Sequence, residues 1–126
     1  MEPSEQTSYW VSSSEEDLEA ARHLKEKGLF RHALFFGHMA VEKVLKAHVT
    51  QATQDFAPKT HNLVRLAEIS DLTLEKDQLD ILKKIREYNI EGRYPDSSGP
   101  PLDKAESESL FAEIIECHSL LKKMLS

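Results

Sequence analysis

The chain has 126 residues, 40% of them hydrophobic, and a net charge of −6. This length and composition fit one globular domain with its own core, and four glycines and five prolines are too few for a turn-rich all-β protein. The acidic balance argues against a general nucleic-acid coat, because non-specific binding needs a basic face that neutralises phosphates. It leaves room for a local basic pocket.

Cysteine content and hydropathy bear on where the protein works. A single cysteine, Cys117, excludes an intramolecular disulfide and suits a reducing compartment. The polar stretch after Met1 and the lack of a long apolar run in the sequence predict neither a signal peptide nor a membrane span. We therefore expect a cytoplasmic protein.

The N-terminal part of the chain is predicted as a loose leader over residues 1–11, followed by one helical domain over residues 12–126. Ser12 and Ser13 each precede a glutamate by three residues, a spacing typical of a capping box at a helix start. Gly28 is expected to end this first helix, because glycine readily adopts the left-handed conformation that follows many helices.

The second helix is predicted over about residues 29–50. Small residues such as Ala33, Gly37 and Ala40 recur on one broad apolar face at helical spacing. Small side chains let another helix approach closely, so we expect this helix at the centre of a bundle.

Three further helices follow, each with its own start signal. Thr60 or His61 is the expected N-cap of the third helix and Thr73 that of the fourth, while Asp103 and Glu106 resemble a capping box before the last. The third helix is predicted over about residues 62–70 and the fourth over about 74–89. A loop rich in proline and glycine follows over 92–101, and the last helix ends near residue 125. Together the segments predict an all-α fold, an up-and-down antiparallel bundle of about five helices, four long and one short.

Six histidines and one cysteine raise the question of a metal or catalytic centre. The sequence has no Cys-x-x-Cys, no His-x-x-x-His enclosing a carboxylate, and no Glu-x-x-His, so we expect neither a metal site nor a cofactor. Cys117 and His118 are neighbours, but adjacent helical residues point about 100° apart. A catalytic pair is therefore not expected, and Cys117 is interpreted as a buried apolar residue.

The polar edge of the second helix is the first candidate site. Arg31, His38 and Glu42 fall near one line along the helix, and Lys46 follows Glu42 by one turn. One interpretation is a solvated face with a pair between Glu42 and Lys46. The other is a charged cleft that binds an anionic group or a partner helix.

A second set of candidates lies outside that helix. His61 is predicted at the start of the third helix, either as a cap or as part of an anion site. Arg93 and Tyr94 precede Pro95, which restricts Tyr94 to an extended backbone. They either face outward, where arginine binds phosphate and tyrosine stacks on a base, or anchor the loop to the bundle.

Several motifs stand in a fixed order over about residues 10–125. They are Trp10, Asp17-Leu18-x-x-Ala21, Gly28-Leu29-Phe30 with Ala33, Val41-Glu42-Lys43-x-Leu45-Lys46-Ala47, Thr60-His61-x-Leu63 and Arg93-Tyr94-Pro95. As an ordered set they resemble the HEPN family, small helical domains of bacteria and archaea.

The resemblance implies an up-and-down bundle, a homodimer, nucleotide binding, and a minimal nucleotidyltransferase as partner in a two-component module of the toxin–antitoxin type. It also implies metal-independent ribonuclease activity where an Arg-x(4–6)-His motif stands late in the bundle. Residues 98–100, downstream of Arg93, are Ser, Gly and Pro, so that motif lacks its histidine here. Arg31 and His38 have the spacing but lie in the second helix, and we interpret that match as coincidence.

These observations support three hypotheses. The first is a module that binds a nucleotide or RNA or docks a nucleotidyltransferase, using Glu42, Lys46, His61, Arg93 and Tyr94. In it, Lys46 and Arg93 bind phosphate, Tyr94 stacks or donates a hydrogen bond, and Glu42 orients Lys46. The alternatives are a metal-independent ribonuclease toxin using Arg31 and His38, and a purely structural protein-interaction module.

Overall fold

The computed structural model describes residues 1–88 and 103–126 of the chain, and within them it contains helices and no strand. The predicted all-α bundle is confirmed. The helices are α1 (Pro3–Glu26), α2 (Phe30–Thr53), α3 (Leu63–Ile69), α4 (Lys76–Arg86) and α5 (Lys104–Lys123). The fourth helix is shorter than predicted, with 11 residues against 24, 24 and 20 for α1, α2 and α5.

The first helix begins at Pro3, so the prediction of a loose leader is wrong for residues 3–11. Proline suits the first turn of a helix, because its fixed φ is already helical and the hydrogen bond it lacks is not needed there. The helical turns over residues 3–11 are anchored to α2 by a 2.7 Å hydrogen bond between the hydroxyls of Thr7 and Thr50. Ser12 and Ser13 therefore lie inside α1 and do not cap it.

The turn between α1 and α2 confirms the predicted role of Gly28. Its φ is +77°, and the N–H groups of Gly28 and Leu29 donate to the carbonyls of Lys25 and Leu24, both at 2.9 Å. This pair of bonds is a Schellman motif, which satisfies carbonyls that the end of a helix leaves unpaired. The short turn folds α2 back along α1.

The second helix is the central element, packed against each of the other four. Its small residues allow the close packing, since a Cβ at Gly37 would lie 3.0 Å from Cγ2 of Ile114 on α5 and would force that side chain to shift by a few tenths of an ångström. The hydrophobic core that surrounds α2 includes Ala21, Ala33, Val41, Leu45, Leu63, Leu66, Leu82, Ile85, Leu110, Ile114 and Leu121.

The starts of the last three helices agree only in part with prediction. Asp103 and Glu106 form the expected reciprocal capping box of α5. Asn62 caps α3, with its Oδ1 accepting the N–H of Arg65 at 3.1 Å, one or two residues beyond the predicted caps. Glu75 caps α4 in place of Thr73. The predicted loop over 92–101 lies outside the described residues.

Two buried histidines join α5 to the rest of the bundle. His48 donates from Nε2 to the carbonyl of Leu121 at 2.7 Å. Ser14 donates its hydroxyl to the carbonyl of Ala40, so Nε2 of His118, 2.7 Å from the same hydroxyl oxygen, must donate to it. Both rings thus satisfy buried polar groups. None of the described helices has the length and apolarity required to cross a membrane.

Candidate functional site

Three polar residues of α2 follow one another at intervals of four and lie inside the protein. His38, Glu42 and Lys46 are 0%, 1% and 8% exposed. Residues four apart stack on one side of a helix, so they form a continuous polar line. Charged side chains are almost never this buried unless they are paired, and the contacts of Glu42 supply the pairing.

The carboxylate of Glu42 is held from two sides. Its Oε2 lies 3.1 Å from Nζ of Lys46, one turn along the same helix. Its Oε1 lies 2.8 Å from Nδ1 of His61, which the chain brings back from beyond the end of α2. A lone buried carboxylate would be strongly destabilising, and the two donors offset that cost.

His61 connects this buried carboxylate to the surface, because its side chain is 52% exposed. A tight turn precedes it, in which the N–H of Thr60 donates to the carbonyl of Pro58 at 2.9 Å, and the N-cap Asn62 follows it. A carboxylate only accepts hydrogen bonds, so Nδ1 of His61 carries the proton. Nε2 is therefore an acceptor in the neutral ring and a donor in the protonated one.

Lys46 lies beneath an aromatic ring of α1. Its Nζ is 5.1 Å from the centre of the Trp10 ring, within the range of a cation–π interaction. The lysine side chain is only 10% exposed, so Trp10 and Glu42 together fix its ammonium group in place. Trp10 thereby joins the site, and it is the only tryptophan of the chain.

His38 lies at the inner end of the polar line. Its Nδ1 is 3.8 Å from Oε1 of Glu42, too far for a hydrogen bond, and neither ring nitrogen has a partner within residues 1–88 and 103–126. Burial lowers the pKa of His38 to about 4, against the opposing effect of Glu42, and the charges of His61 and Arg86 add to the lowering. The backbone of His61 favours the protonated ring slightly, although its geometry falls short of a hydrogen bond.

The predicted site residues thus divide into three groups. Glu42, Lys46 and His61 come together. Arg31 lies on the exposed first turn of α2, whereas His38 has no exposed surface, so this pair does not present an accessible histidine to RNA. Arg93 and Tyr94 lie outside the described residues.

Sequence reasoning missed part of this site. It gave Trp10 only a place in the resemblance, and it assigned no role to Arg86. The signal for Trp10 was its place in the ordered motif set. No pattern in the sequence pointed to Arg86, because its charge reaches His38 only through the packing of α4 near α2.

The other reactive groups of the described chain offer no second centre. Cys117 lines an apolar groove of about 180 Å³ between α4 and α5, next to Leu82 and Leu120, and burial raises the pKa of its thiol to about 12. The thiol therefore stays protonated and unreactive at neutral pH, although Cys117 is only partly buried and not fully buried as the sequence suggested. Among the described residues, no three or more metal-ligating side chains cluster.

The architecture defines an all-helical bundle protein whose central helix carries a buried charged cluster that reaches the surface through one histidine. The chain belongs to the HEPN family, since the model of the HEPN domain matches residues 7–124. Among proteins of curated function, no sequence matches the chain.

Two solved structures have the same fold. The chain is similar to TT1696 from Thermus thermophilus, with a TM-score of 0.78 and 19% sequence identity over 95% of this chain and 98% of the other. It is also similar to ST0689, described as an archaeal HEPN homologue, with a TM-score of 0.74, 19% identity and the same coverage of both chains. At this level of identity the two likenesses support the fold.

Proposed function

We propose that this HEPN protein binds a phosphate-bearing ligand, a nucleotide or the phosphate backbone of RNA, at the cluster formed by Glu42, Lys46 and His61. The observation that carries the proposal is the half-exposed ring of His61, anchored through Nδ1 to a buried carboxylate. A ring fixed in this way presents Nε2 to the outside in one orientation, which reduces the entropy lost when a ligand binds.

The charges near His61 favour an anion. The charges of Glu42 and Lys46 offset each other inside the protein. The exposed cations Lys59 and Arg65 flank His61 in the sequence, and a protonated His61 adds a third positive group. On a chain with a net charge of −6, these cations close to His61 in the sequence supply positive charge that a phosphate ligand requires.

The structure alters the roles expected from the sequence. Lys46 is too enclosed to be the main contact for phosphate, and we assign that contact to His61. Glu42 orients both Lys46 and His61. The contribution of Arg93 and Tyr94, as a second phosphate ligand and a stacking surface, remains part of the proposal on sequence grounds.

Trp10 provides the measurement, because it is the only tryptophan and its ring lies over Lys46. Titration with AMP, ATP, inorganic phosphate and a short single-stranded RNA is expected to give a saturable change in its fluorescence for at least one of them. His61→Ala should weaken that binding at least about tenfold, as the loss of a hydrogen bond to a charged group does. Arg93→Ala should also weaken it.

His23→Ala is the matched control. His23 also pairs with a glutamate, Glu19, at 3.0 Å, but both side chains are well exposed on α1. This variant should bind with unchanged affinity. If none of the four ligands gives saturable fluorescence or calorimetric binding at millimolar concentration, the proposal is wrong.

A further inference from the structure

Two imidazole rings approach the same oxygen of Glu42. Nδ1 of His61 lies 2.8 Å from Oε1 and forms the hydrogen bond, whereas Nδ1 of His38 lies 3.8 Å from it and does not. The first ring reaches solvent and the second has no exposed surface. Oε1 of Glu42 therefore accepts a hydrogen bond from the outer ring, His61, whereas the inner ring, His38, makes no hydrogen bond to it.

Within residues 1–88 and 103–126, burial of the His38 ring carries a cost in free energy. Both nitrogens of His38 are buried without a hydrogen-bond partner among the described residues, and each such polar group costs about 1–3 kcal/mol. A leucine or methionine could fill a similar space without this cost. The arrangement is explained if the ring gains a partner in another state of the site.

We propose that His38 is the reserve hydrogen-bond donor of Glu42. When His61 moves away from the carboxylate, a shift of about 1 Å brings Nδ1–H of His38 into hydrogen-bonding range of Oε1. Glu42 then keeps two donors, Lys46 and His38, and its buried charge stays compensated. His38 acts through Glu42 and touches no ligand, so it is a positioning residue.

The charged groups around His38 decide in which form it donates. Glu42 faces it from the next turn of α2, His61 from the segment before α3, and Arg86 from α4. Burial and the two cationic groups disfavour a proton on the ring, and the single carboxylate does not outweigh them. With His61 in place, His38 is therefore a neutral imidazole, and the single N–H of a neutral ring is sufficient for a hydrogen bond to Oε1.

This exchange has a consequence for ligand binding that rests on the proposed function. A ligand phosphate that engages Nε2 draws the His61 ring outward in the same orientation and lengthens its bond to Glu42 without turning the ring. With a second donor in place, this lengthening costs little, because the carboxylate is not left short of a partner. His38 thus lowers the energy that His61 needs to meet the ligand.

A double-mutant cycle on the free protein tests the exchange without any ligand. His61→Ala leaves His38 able to replace the lost bond, and His38→Leu leaves His61 in place, so each single change should be tolerated. The double variant leaves Glu42 with Lys46 alone. We expect its folding equilibrium constant, from urea unfolding, to fall at least about fivefold more than the product of the two single effects.

The matched control replaces His38→Leu with His48→Gln, since His48 is also buried on α2 but bonds to the backbone of α5. The effects of His48→Gln and His61→Ala on the folding equilibrium constant should combine without an interaction term. Additive effects in the His38 cycle would overturn the proposal. His38→Met is the alternative should the leucine variant not fold.

Side-chain ¹⁵N NMR of His61→Ala is a second, independent measurement. We expect the His38 ring to appear as the Nδ1–H tautomer with a proton protected from exchange, and to lose that protection when Glu42→Ala removes the acceptor. A His38 ring with the same signals in the parent protein and in His61→Ala would contradict the exchange.

Affinity measurements with ligands distinguish this proposal from the proposed function. If AMP or RNA binds the parent protein, His38→Leu should weaken the affinity while His48→Gln does not, and equal affinities would overturn the role in ligand binding. If no ligand binds but the double-mutant cycle of His38 and His61 is non-additive, the role of His38 as a reserve donor is supported and the proposed function is wrong.

Discussion

Among the described residues, two pairs of glutamate and histidine lie within hydrogen-bonding distance, and they differ in almost every physical respect. Glu19 and His23 lie on the outer face of α1, 61% and 69% exposed, with 3.0 Å between Oε1 and Nε2. Glu42 and His61 are 2.8 Å apart, but Glu42 is 1% exposed and its partner comes from 19 residues further along the chain. The bond lengths are nearly equal, so distance alone does not separate them.

The difference lies in what replaces the bond when it breaks. Water solvates an exposed carboxylate at once, and measured exposed pairs therefore contribute about 0–1 kcal/mol. Around Glu42 there is protein on most sides, so each lost donor must be replaced by another side chain. Burial thus turns an ordinary ion pair into part of a connected cluster that includes Lys46, Trp10 and His38.

Removing each of the two carboxylates in turn should give the largest difference in the free energy of unfolding between the two pairs. Glu42→Ala leaves the enclosed ammonium of Lys46 without its partner, and we expect the free energy of unfolding to fall by about 3 kcal/mol. Glu19→Ala should change it by less than about 0.5 kcal/mol. Urea unfolding of both variants measures the difference, and comparable losses would mean that burial does not decide the energetics.

Acid should destabilise the protein through its buried histidines. The folded-state pKa of His38 is about 4, below its ordinary value of 6.5, so between these values the unfolded chain binds a proton that the folded protein does not. Stability is therefore lost as the pH falls from about 6.5 to about 4, by up to about 3 kcal/mol from this residue. Burial also lowers the pKa of His48 and His118, in the same direction.

Urea unfolding at a series of pH values checks the sign and the source of this loss. His38→Leu should flatten the profile between pH 6.5 and about pH 4, while the contributions of His48 and His118 remain. A profile of unchanged slope in this variant would show that His38 does not carry the effect.

The smallest effect is expected at the aromatic cover of Lys46. Trp10→Leu removes the cation–π contact and should cost about 1 kcal/mol. Tyr9→Leu changes the neighbouring ring, which is 54% exposed and packs edge-on against Trp10. We expect a smaller loss there, measured by thermal unfolding, and a Tyr9 effect as large as that of Trp10 would assign the stabilisation to the aromatic pair.

A capping-box motif predicted a helix start correctly only where no longer helix ran through the same residues. Asp103 and Glu106 follow a segment rich in proline and glycine, and their capping box formed as expected. Ser12 and Ser13 have the same kind of spacing, but a helix already runs through them from Pro3. A capping box stabilises a helix start by about 1 kcal/mol, which does not outweigh the packing of two further turns of α1.

The sequence by itself determined the class of fold, the central place of α2 and the pairing of Glu42 with Lys46, because all three depend on helical periodicity and on residues close together in the chain. It also brought His61 onto the list of candidates. Periodicity gives the angle of a side chain around its helix but not what covers it, so the sequence left open whether the polar edge of α2 was solvated.

Only the tertiary structure decided that Glu42 is buried, that His61 returns to bind it, and that Trp10 covers Lys46. These contacts join residues far apart in sequence, and each depends on how α1 and the segment before α3 pack against α2. The chemistry of the site therefore follows from packing between helices, which no local pattern encodes.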